Sequence, residues 1–391
     1  MIVHLDADAF FVSVEQAADR RLRGKAVAVG GQRRGIIASA SYEARKLGVY
    51  TPMPTSRALR LCPHLILIPG DYRKYELFSR LMFSFAYDYT AEVEHASIDE
   101  GYFDLGRQTK FTAAQAAAKI RDAIAGSLKI SASFGIASNK LVSQVASKLK
   151  KPGGFVEVPR GEERAFLAPL ANYWLPGIGK KAAEELAAAG LRTVEQIAHA
   201  SPDFLAQHVG SYAPQLILYA QGLDDRPVVS GHGGAKSYSE QETFDTDVTD
   251  GEFVLATARA MADRLMTKVR ADAKTIRTVT VKLRYRDFTE VSRSASLDEP
   301  TDLETETYSS LERLVTKGWT KRLGLRLVSV RFSQVYSGLF SAELALDSAH
   351  NTPQQKRELA HAIDALRSKF GTGSVMRGHD LWLKSRKENA E

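Results

Sequence analysis

Three observations predict an α/β chain of the α+β multidomain kind. Strand-like and helical runs alternate through the first 160 residues. From Glu162 to about Gln221 the strands give way to short helices punctuated by Gly and Pro. After SGHGGAK (230–236), a flexible-linker signal, the order becomes strand, helix, strand, strand, helix, strand. That order suits an antiparallel sheet with helices on one face, the ferredoxin-like arrangement. A chain of 391 residues has room for roughly two to four domains, each with its own core.

The first strands read at IVHL, KAVAVG, GIIASAS, LILIPG, EVEHASI, YFDL, SASFGIA and GFVEV. Between them, YELFSRLMFSFAYDY and FTAAQAAAKIRDAIAGSL carry apolar residues at helical spacing. SNKLVSQVASKLKKPGG (138–154) is a basic helix closing on Pro152 and Gly153. In LPGIGKKAAEELAAAGLRTVEQI (175–197), Pro176-Gly177-Ile178-Gly179 makes a tight turn before a helix. Gly190 stops that helix and a second begins near Thr193. HVGSYAPQLILYAQG repeats the idea weakly, with Gly210 before another helix. Past the linker come a strand (240–246), a helix (252–270), strands (275–286 and 289–296), a helix (302–316) and a strand (325–336). The last fifty residues hold one amphipathic helix, PQQKRELAHAIDALRSKFG, and a polar end.

Composition excludes several classes. Hydrophobic content of 44% and charged content of 25% are ordinary for a globular protein and rule out wholesale disorder. The single cysteine, Cys62, excludes an intramolecular disulfide and a Cys-based zinc site; in ALRLCPHL it reads as a small buried apolar residue. No apolar run approaches the roughly 20 residues of a membrane span, and no signal peptide is visible, so a soluble cytoplasmic protein is expected. The net charge of +7 suits a polyanionic partner. Between Gln16 and Asp71, ten basic residues, Arg33 and Arg34 among them, stand against three acidic ones. This basic lobe is either a solvated face or a grip for polyphosphate.

Two acidic clusters flank that lobe: Asp6 and Asp8 in IVHLDADAFF, and Asp99 and Glu100 in HASIDEGYFDL. Carboxylates inside apolar strands cost free energy unless a basic partner or a hard divalent cation compensates them, and neither cluster has a Lys or Arg beside it in sequence. Either the clusters converge to hold Mg²⁺ against phosphates, or they are turn acids that never meet. The turn at Gly177 and Gly179, with Lys180 and Lys181, reads as a helix-hairpin-helix whose backbone N–H groups take a sugar-phosphate backbone. Tyr42 and Arg45 lie on one helix face, where a phenol and a guanidinium can clamp phosphate. Phe10 and Phe11 read as core or site, and Lys148, Lys150 and Lys151 as solvated cations or anion contacts.

Taken together, LDADAFF, SASYEARKLGVYTPMP, SIDEGYFD, FGIASNK…ASKLKKPGG and LPGIGKK resemble the Y-family, or translesion, DNA polymerases, in particular their DinB (DNA polymerase IV) branch. The resemblance covers residues 1 to about 336. It implies a right-hand polymerase with a ferredoxin-like palm (1–15 and 72–160), small fingers (16–71), a helix-hairpin-helix thumb (161–230), a linker (231–236), a little finger (237–338) and a tail (339–391). It makes Asp6, Asp99 and Glu100 the ligands of two Mg²⁺ ions, with Asp8 in a supporting role. Phe10 then lines the triphosphate site and Phe11 is the steric gate against a ribose 2′-hydroxyl. Tyr42 and Arg45 clamp the triphosphate, Lys151 contacts phosphate (with Lys150 as the other candidate), and Arg33 and Arg34 lie near the templating base. The implied partners are primer-template DNA, a dNTP and a sliding clamp, with no membrane and a monomeric state.

Some positions depart from the family pattern. Val12 stands where a small residue is common, and Gly101 replaces a frequent alanine, which implies a looser turn. The clamp-binding peptide has two imperfect candidates, YSGLF (336–340) and AELALD (342–347); Leu339 and Phe340 are favoured, against a role capping the sheet. The expected activity is template-directed DNA synthesis of low fidelity without proofreading, in DNA damage tolerance. An inert relative acting as a scaffold would be expected to lose its carboxylates, and a nucleotidyl cyclase would have no use for the hairpin.

Overall fold

The computed structural model describes residues 1–32, 34–107, 110–231, 234–338 and 353–388. Arg33, Leu339, Phe340 and the 342–347 peptide lie outside them. The chain divides into two compact units, Met1–His232 and Gly233–Glu391.

The first unit is built on β1 (Ile2–Ala7), a strand buried at all six positions. A tight turn joins it to helix α1 (Phe10–Ala18). Strands β2 (Val27–Gly30), β3 (Ile36–Ala40), β4 (Met53–Pro54) and β5 (Ile66–Ile68), with helices α2 (Tyr42–Lys46) and α3 (Thr55–Leu61), form a small lobe whose sheet runs β4-β3-β2-β5. Its core is made of small side chains such as Ala28, Ala40, Ala44, Ala58 and the buried Cys62, around Ile37 and Met53. The chain then returns through α4 (Tyr72–Tyr87), β6 (Val93–His95), β7 (Glu100–Asp104), α5 (Ala113–Leu128), β8 (Ala132–Ala137), α6 (Lys140–Leu149) and β9 (Phe155–Glu157). The main sheet has the order β6-β7-β1-β8-β9. Its first four strands are antiparallel neighbours in a β-α-β-β-α-β path, as the ferredoxin-like expectation requires, and β9 adds in parallel to β8.

The pleat of β1 assigns its two faces. Val3, Leu5 and Ala7 pack with Tyr75, Met82 and Phe83 of α4 and Ala116, Ile120 and Ile124 of α5. Each fully buried side chain of that size contributes about 1.5–3 kcal/mol. Ile2, His4 and Asp6 alternate to the other face, and α6 packs on β1 and β8. Gly135 of β8 lets α6 come that close, because a Cβ there would lie 2.0 Å from the carbonyl oxygen of Ser143. Asn139 starts α6 by accepting from the Val142 N–H.

After β9 the chain is helical. Lys180–Ala188 and Val194–Ala198 are the two helices of the hairpin, the second begun by a capping box between Thr193 and Gln196. Leu186, Val194, Ile197, Leu205 and Leu216 join Leu141, Val142 and Val145 of α6 in one core. Gly177 takes a φ of +93°, and a Cβ there would meet the Tyr212 ring at 2.6 Å, so the turn accepts no other residue without strain.

The second unit follows the order read from the sequence, with longer strands: β10 (Ser237–Val248), helix Gly251–Ala271, β11 (Lys274–Tyr285), β12 (Glu290–Thr301), helix Tyr308–Gly318 and β13 (Leu325–Ser337). The sheet is antiparallel in the order β10-β13-β11-β12, and both helices share its core, with Val254, Met261, Leu265, Leu311 and Leu314 against Val279, Val281, Val328 and Val330. The sequence gives no sign of one element: besides the expected helix Pro353–Phe370, the polar end forms a second, Gly378–Glu388. Its few apolar residues hide it, and tertiary contacts hold it, with Trp382 6.4 Å from Phe253 and Arg386 paired to Asp250. A buried charge network fastens the preceding helix: Arg270 reaches Glu304 and Asp364, each at 2.6 Å, and the carbonyl of Asp302 at 2.7 Å.

Removing one partner of such a network leaves uncompensated buried charge. Arg270→Ala should destabilise the second unit by about 3–5 kcal/mol. Urea unfolding followed by Trp319 and Trp382 fluorescence in a Trp174→Phe background measures it; a loss within the range of surface substitutions would show that the network carries no stability.

Candidate active site

The register of β1 on β7 places Asp6 directly opposite Glu100. Asp99 immediately precedes β7, and its carbonyl accepts the Ala7 N–H at 2.9 Å. Ser97 shapes the turn: its hydroxyl donates to Asp99 Oδ1 at 2.5 Å and accepts from the Asp99 and Glu100 N–H groups. The two clusters therefore converge. Asp8 takes a different place. It is buried, accepting from Ser131 Oγ at 2.6 Å, Ser133 Oγ at 2.8 Å and the Gly153 N–H at 2.8 Å, so its oxygens tie β1 to β8 and to the loop after α6.

The missing counter-charges come from the end of α6. Lys151 pairs with Asp6 and lies 3.8 Å from Asp8, while Lys148 lies 2.9 Å from Glu100 and 3.9 Å from Asp6. Lys150 is exposed. Burial nevertheless holds the Asp6 carboxyl above its ordinary pKa; the two lysines pull it down and Glu100 pushes it up. Lys148 is a site residue whose sequence context showed only a basic helix; its spacing of three from Lys151 was the available signal. His4 is a second, buried beside the same carboxylates with its Nε2 3.8 Å from Glu100 Oε2.

The turn after Asp8 is made at Ala9, which has a φ of 45° in the left-handed region. That conformation costs an L-residue about 1–2 kcal/mol, and the small Ala side chain tolerates it. The turn aims Phe10 into the core and leaves Phe11 half-buried. Phe11 stacks on Tyr75 with ring centroids 4.4 Å apart, and Tyr72 meets its edge at 5.7 Å. Tyr75 is anchored in turn, its hydroxyl donating to buried Glu15 at 2.8 Å, and Lys74 neutralises Glu15 at 2.8 Å.

Tyr42 and Arg45 share one face of α2, with the guanidinium 4.8 Å from the Tyr42 ring centre. Arg45 Nε donates to the Ala40 carbonyl at 3.0 Å. The Tyr42 hydroxyl is buried without a hydrogen-bond partner among the described residues. Burial first, then the nearby Asp8 and Asp6 charges, push its pKa up to about 12, against the opposing pull of Arg45. A neutral buried hydroxyl with nothing to bond is a donor awaiting an acceptor.

The remaining candidates are more dispersed. Arg34 lies in the β2–β3 loop with a φ of 44°. Gly179 caps the first hairpin helix, and Lys180 and Lys181 are exposed at its start. Gly101 does not loosen a turn: it lies within β7, where a Cβ would be 2.5 Å from the Phe83 ring and 2.6 Å from the Glu94 carbonyl, so close packing demands it. Val12 is buried in the main core.

Comparison with known proteins identifies the family. Residues 5–148 match the impB/mucB/samB family and residues 235–344 match the C-terminal domain of that family. The DNA polymerase IV of Opitutus terrae is 46% identical over 384 residues, 97% of each chain. The chain belongs to the DNA polymerase IV branch of the Y-family DNA polymerases. DNA polymerase IV 1 of Bacillus subtilis is 32% identical over 387 residues, 97% of this chain and 93% of that one. Among solved structures, a Y-family DNA polymerase chimera of Dbh and Dpo4 superposes with a TM-score of 0.79 at 26% identity, covering 86% of this chain and 99% of that chain. The insertion ternary complex of Dbh DNA polymerase gives 0.62 at 25%, with the same coverage. A Y-family polymerase is a DNA-directed DNA polymerase of the translesion type, and the scaffold alternative is not favoured.

Lys151 places an ammonium between the Asp6 and Asp8 carboxylates, and removing it leaves their charge less compensated. Lys151→Ala should lower unfolding stability in the absence of divalent metal by about 1–3 kcal/mol, and Mg²⁺ should return most of the loss. Thermal melts with and without Mg²⁺ test this; a deficit that Mg²⁺ leaves untouched would mean that the lysine does not occupy the cation's place.

Proposed function

We propose that this chain adds dNMPs to a primer 3′-hydroxyl by two-metal nucleotidyl transfer, with Asp6, Asp99 and Glu100 as the metal ligands. The observation that carries this reading is the cross-strand pair Asp6–Glu100 beside Asp99. The donor set fits a hard cation: carboxylate oxygens converge, burial disfavours the ionised Asp6, and monovalent ammonium groups already sit between them. When bound, two Mg²⁺ ions would lower the pKa of the 3′-hydroxyl and neutralise the triphosphate and the departing pyrophosphate.

The chain's own residues do the rest. Asp8 fixes the strand and loop geometry around the ligands. The Phe11 ring, backed by Tyr75, closes the space a ribose 2′-hydroxyl would need, and the backbone at Phe10 lines the triphosphate site. The unpartnered Tyr42 hydroxyl and the Arg45 guanidinium take phosphate oxygens, joined by Lys151 when it leaves Asp6. Arg33 and Arg34 are proposed to act near the templating base. In this reading residues 1–15 and 72–160 are the palm, 16–71 the fingers, 161–230 the thumb and 237–338 the little finger. Gly177, Gly179, Lys180 and Lys181 hold the DNA backbone. The small-residue core of the fingers supports a lobe too slight to enclose the base pair tightly, which limits discrimination against mismatches.

The proposed setting is a monomer in the cytoplasm; no helix among the described residues is long and apolar enough to cross a membrane. A sliding clamp is proposed to bind through Leu339 and Phe340. The two C-terminal helices dock on the second unit, so the test is paired Ala substitution rather than truncation. Stimulation by the clamp should disappear while unassisted synthesis continues, and full stimulation would reject the peptide.

Primer extension with single dNTPs tests the active site. Asp99→Ala and Glu100→Ala should each lower incorporation by at least about 10³-fold, the scale of losing a principal electrostatic stabiliser, with primer-template affinity nearly unchanged. Normal turnover would overturn the ligand assignment. Phe11→Ala should admit ribonucleotides, and continued exclusion would place the gate elsewhere. Primer-template affinity should fall steeply with salt, since the contacts are to phosphates.

A further inference from the structure

His4 is fully buried in the middle of β1, two positions before Asp6 on the same face of the strand. Its cross-strand neighbours are Tyr102 on one side and Gly135 on the other, and the Tyr102 ring lies 4.6 Å away. The close approach of α6 over Gly135 brings Ser147 Oγ within 2.7 Å of Nδ1. The other ring nitrogen, Nε2, has no hydrogen-bond partner among the described residues although it is buried. Glu100 Oε2 lies 3.8 Å from it, too far for a hydrogen bond. Lys148 holds that same oxygen at 2.9 Å.

The neighbours decide which nitrogen carries the proton. Ser147 has one hydrogen to give, and both His4 Nδ1 and the Gln144 carbonyl, at 2.8 Å, can accept it. A proton on Nδ1 would send that hydrogen to Gln144 and leave two acceptors, Nε2 and the Glu100 carboxylate, 3.8 Å apart. A proton on Nε2 turns the Ser147 hydroxyl toward Nδ1 and directs a buried donor at Glu100. The second arrangement gives up the hydrogen bond to Gln144, but it sets an N–H rather than a lone pair 3.8 Å from the Glu100 carboxylate, and a lone pair opposed to a charge is the costlier loss. The ring is held neutral by burial and by Lys148, Lys151 and Lys140, which all disfavour a second proton.

We propose that His4 is a positioning residue for Glu100: the Nε2–H is a reserved donor that takes Glu100 Oε2 when a divalent cation displaces the Lys148 ammonium. The inference rests on Glu100 being a metal ligand. A carboxylate shared between a lysine and nothing else would swing when the lysine leaves; a buried imidazole, fixed by Ser147 and Tyr102, keeps it aimed. Ligand-orienting hydrogen bonds of this kind are worth about 10- to 100-fold in metal affinity or activity.

The test is a Mn²⁺ titration read by electron paramagnetic resonance, on the full chain bound to a dideoxy-terminated primer-template and dNTP. Alongside it run kcat, KM for dNTP and primer-template affinity. His4→Phe keeps a ring and removes the donor; it should weaken Mn²⁺ binding about 10-fold and lower kcat, with primer-template affinity unchanged. His4→Gln, which can offer an amide N–H near the Nε2 position, should recover most of the loss. If His4→Phe does not fold, Ser147→Ala decides: it should weaken Mn²⁺ binding severalfold, and binding equal to the parent would overturn the proposal. Parental Mn²⁺ affinity in His4→Phe, or no recovery in His4→Gln, would overturn it too. Glu100→Gln in the same titration separates the two levels. If that variant binds Mn²⁺ like the parent, the ligand assignment itself fails; if it binds weakly and His4→Phe binds normally, only the role of His4 fails.

Discussion

Everything in the first unit is arranged around two carboxylates that face each other across neighbouring strands. Asp6 and Glu100 are direct partners in the β1–β7 ladder, and like charges in that position repel. At a separation of about 5 Å and an effective dielectric near 20, the repulsion is roughly 3 kcal/mol, a sizeable part of the net stability of a domain. A fold that keeps such a pair must bring positive charge to it. Here α6 does so, delivering Lys148 from its last turn and Lys151 just beyond its end. The helix can deliver them only because Gly135 lets it lie against β8. A side chain at that position would lift α6 and its ammonium groups away from the carboxylates.

The surroundings of the pair are rigid for the same reason. Asp8 spends its charge on two serine hydroxyls and a backbone N–H, which pins the start of β8 and the loop carrying Lys151 to β1. The left-handed turn at Ala9 then fixes where α1 begins, and so where Phe11 stands. Tyr75, Glu15 and Lys74 form a buried chain behind that ring. A gate works by occupying space, so it needs support on the side away from the nucleotide. In the proposed reading the position of the gate and that of the ligand Asp6 are set by one continuous stretch, Asp6 to Glu15.

The parts legible in the sequence were those with a local signature. Strand runs, helical periodicity, the Gly177 turn and the β-α-β-β-α-β order of the second unit all lie within short windows, and the structure contains them. The convergence of the two acidic clusters was only half legible, since neither window says that β1 and β7 are neighbours; the family motifs supplied that. The pairing of Lys148 with Glu100, the place of His4 and the support behind Phe11 were not legible, because each joins residues far apart in sequence through a register that tertiary packing sets. Gly101 was misread because its role is steric: Phe83 and the Glu94 carbonyl occupy the space a methyl group would take. The helix Gly378–Glu388 escaped notice because its stability comes from Phe253 and Asp250, more than a hundred residues away.

The lysines also explain why a site of this kind can be both stable when empty and quick to load. Two ammonium groups offset the carboxylates at distances of ordinary ion pairs, yet both are partly open to solvent, with side-chain exposures of 36% for Lys148 and 22% for Lys151. Such pairs are held weakly because water and salt screen them. In the proposed reading, a divalent cation with several oxygen ligands would outcompete them, and the displaced lysines, tethered at the rim, would pass their charge from carboxylate to the phosphates of a bound triphosphate. Glu100 is the ligand most exposed to that exchange, since Lys148 is its close ion-pair partner among the described residues. The donor that remains behind it after the exchange is His4. Placing a buried imidazole at the centre of an apolar strand has a desolvation cost that its contacts with Ser147 and Tyr102 offset in part; in the proposed reading, holding a ligand through the exchange offsets the rest.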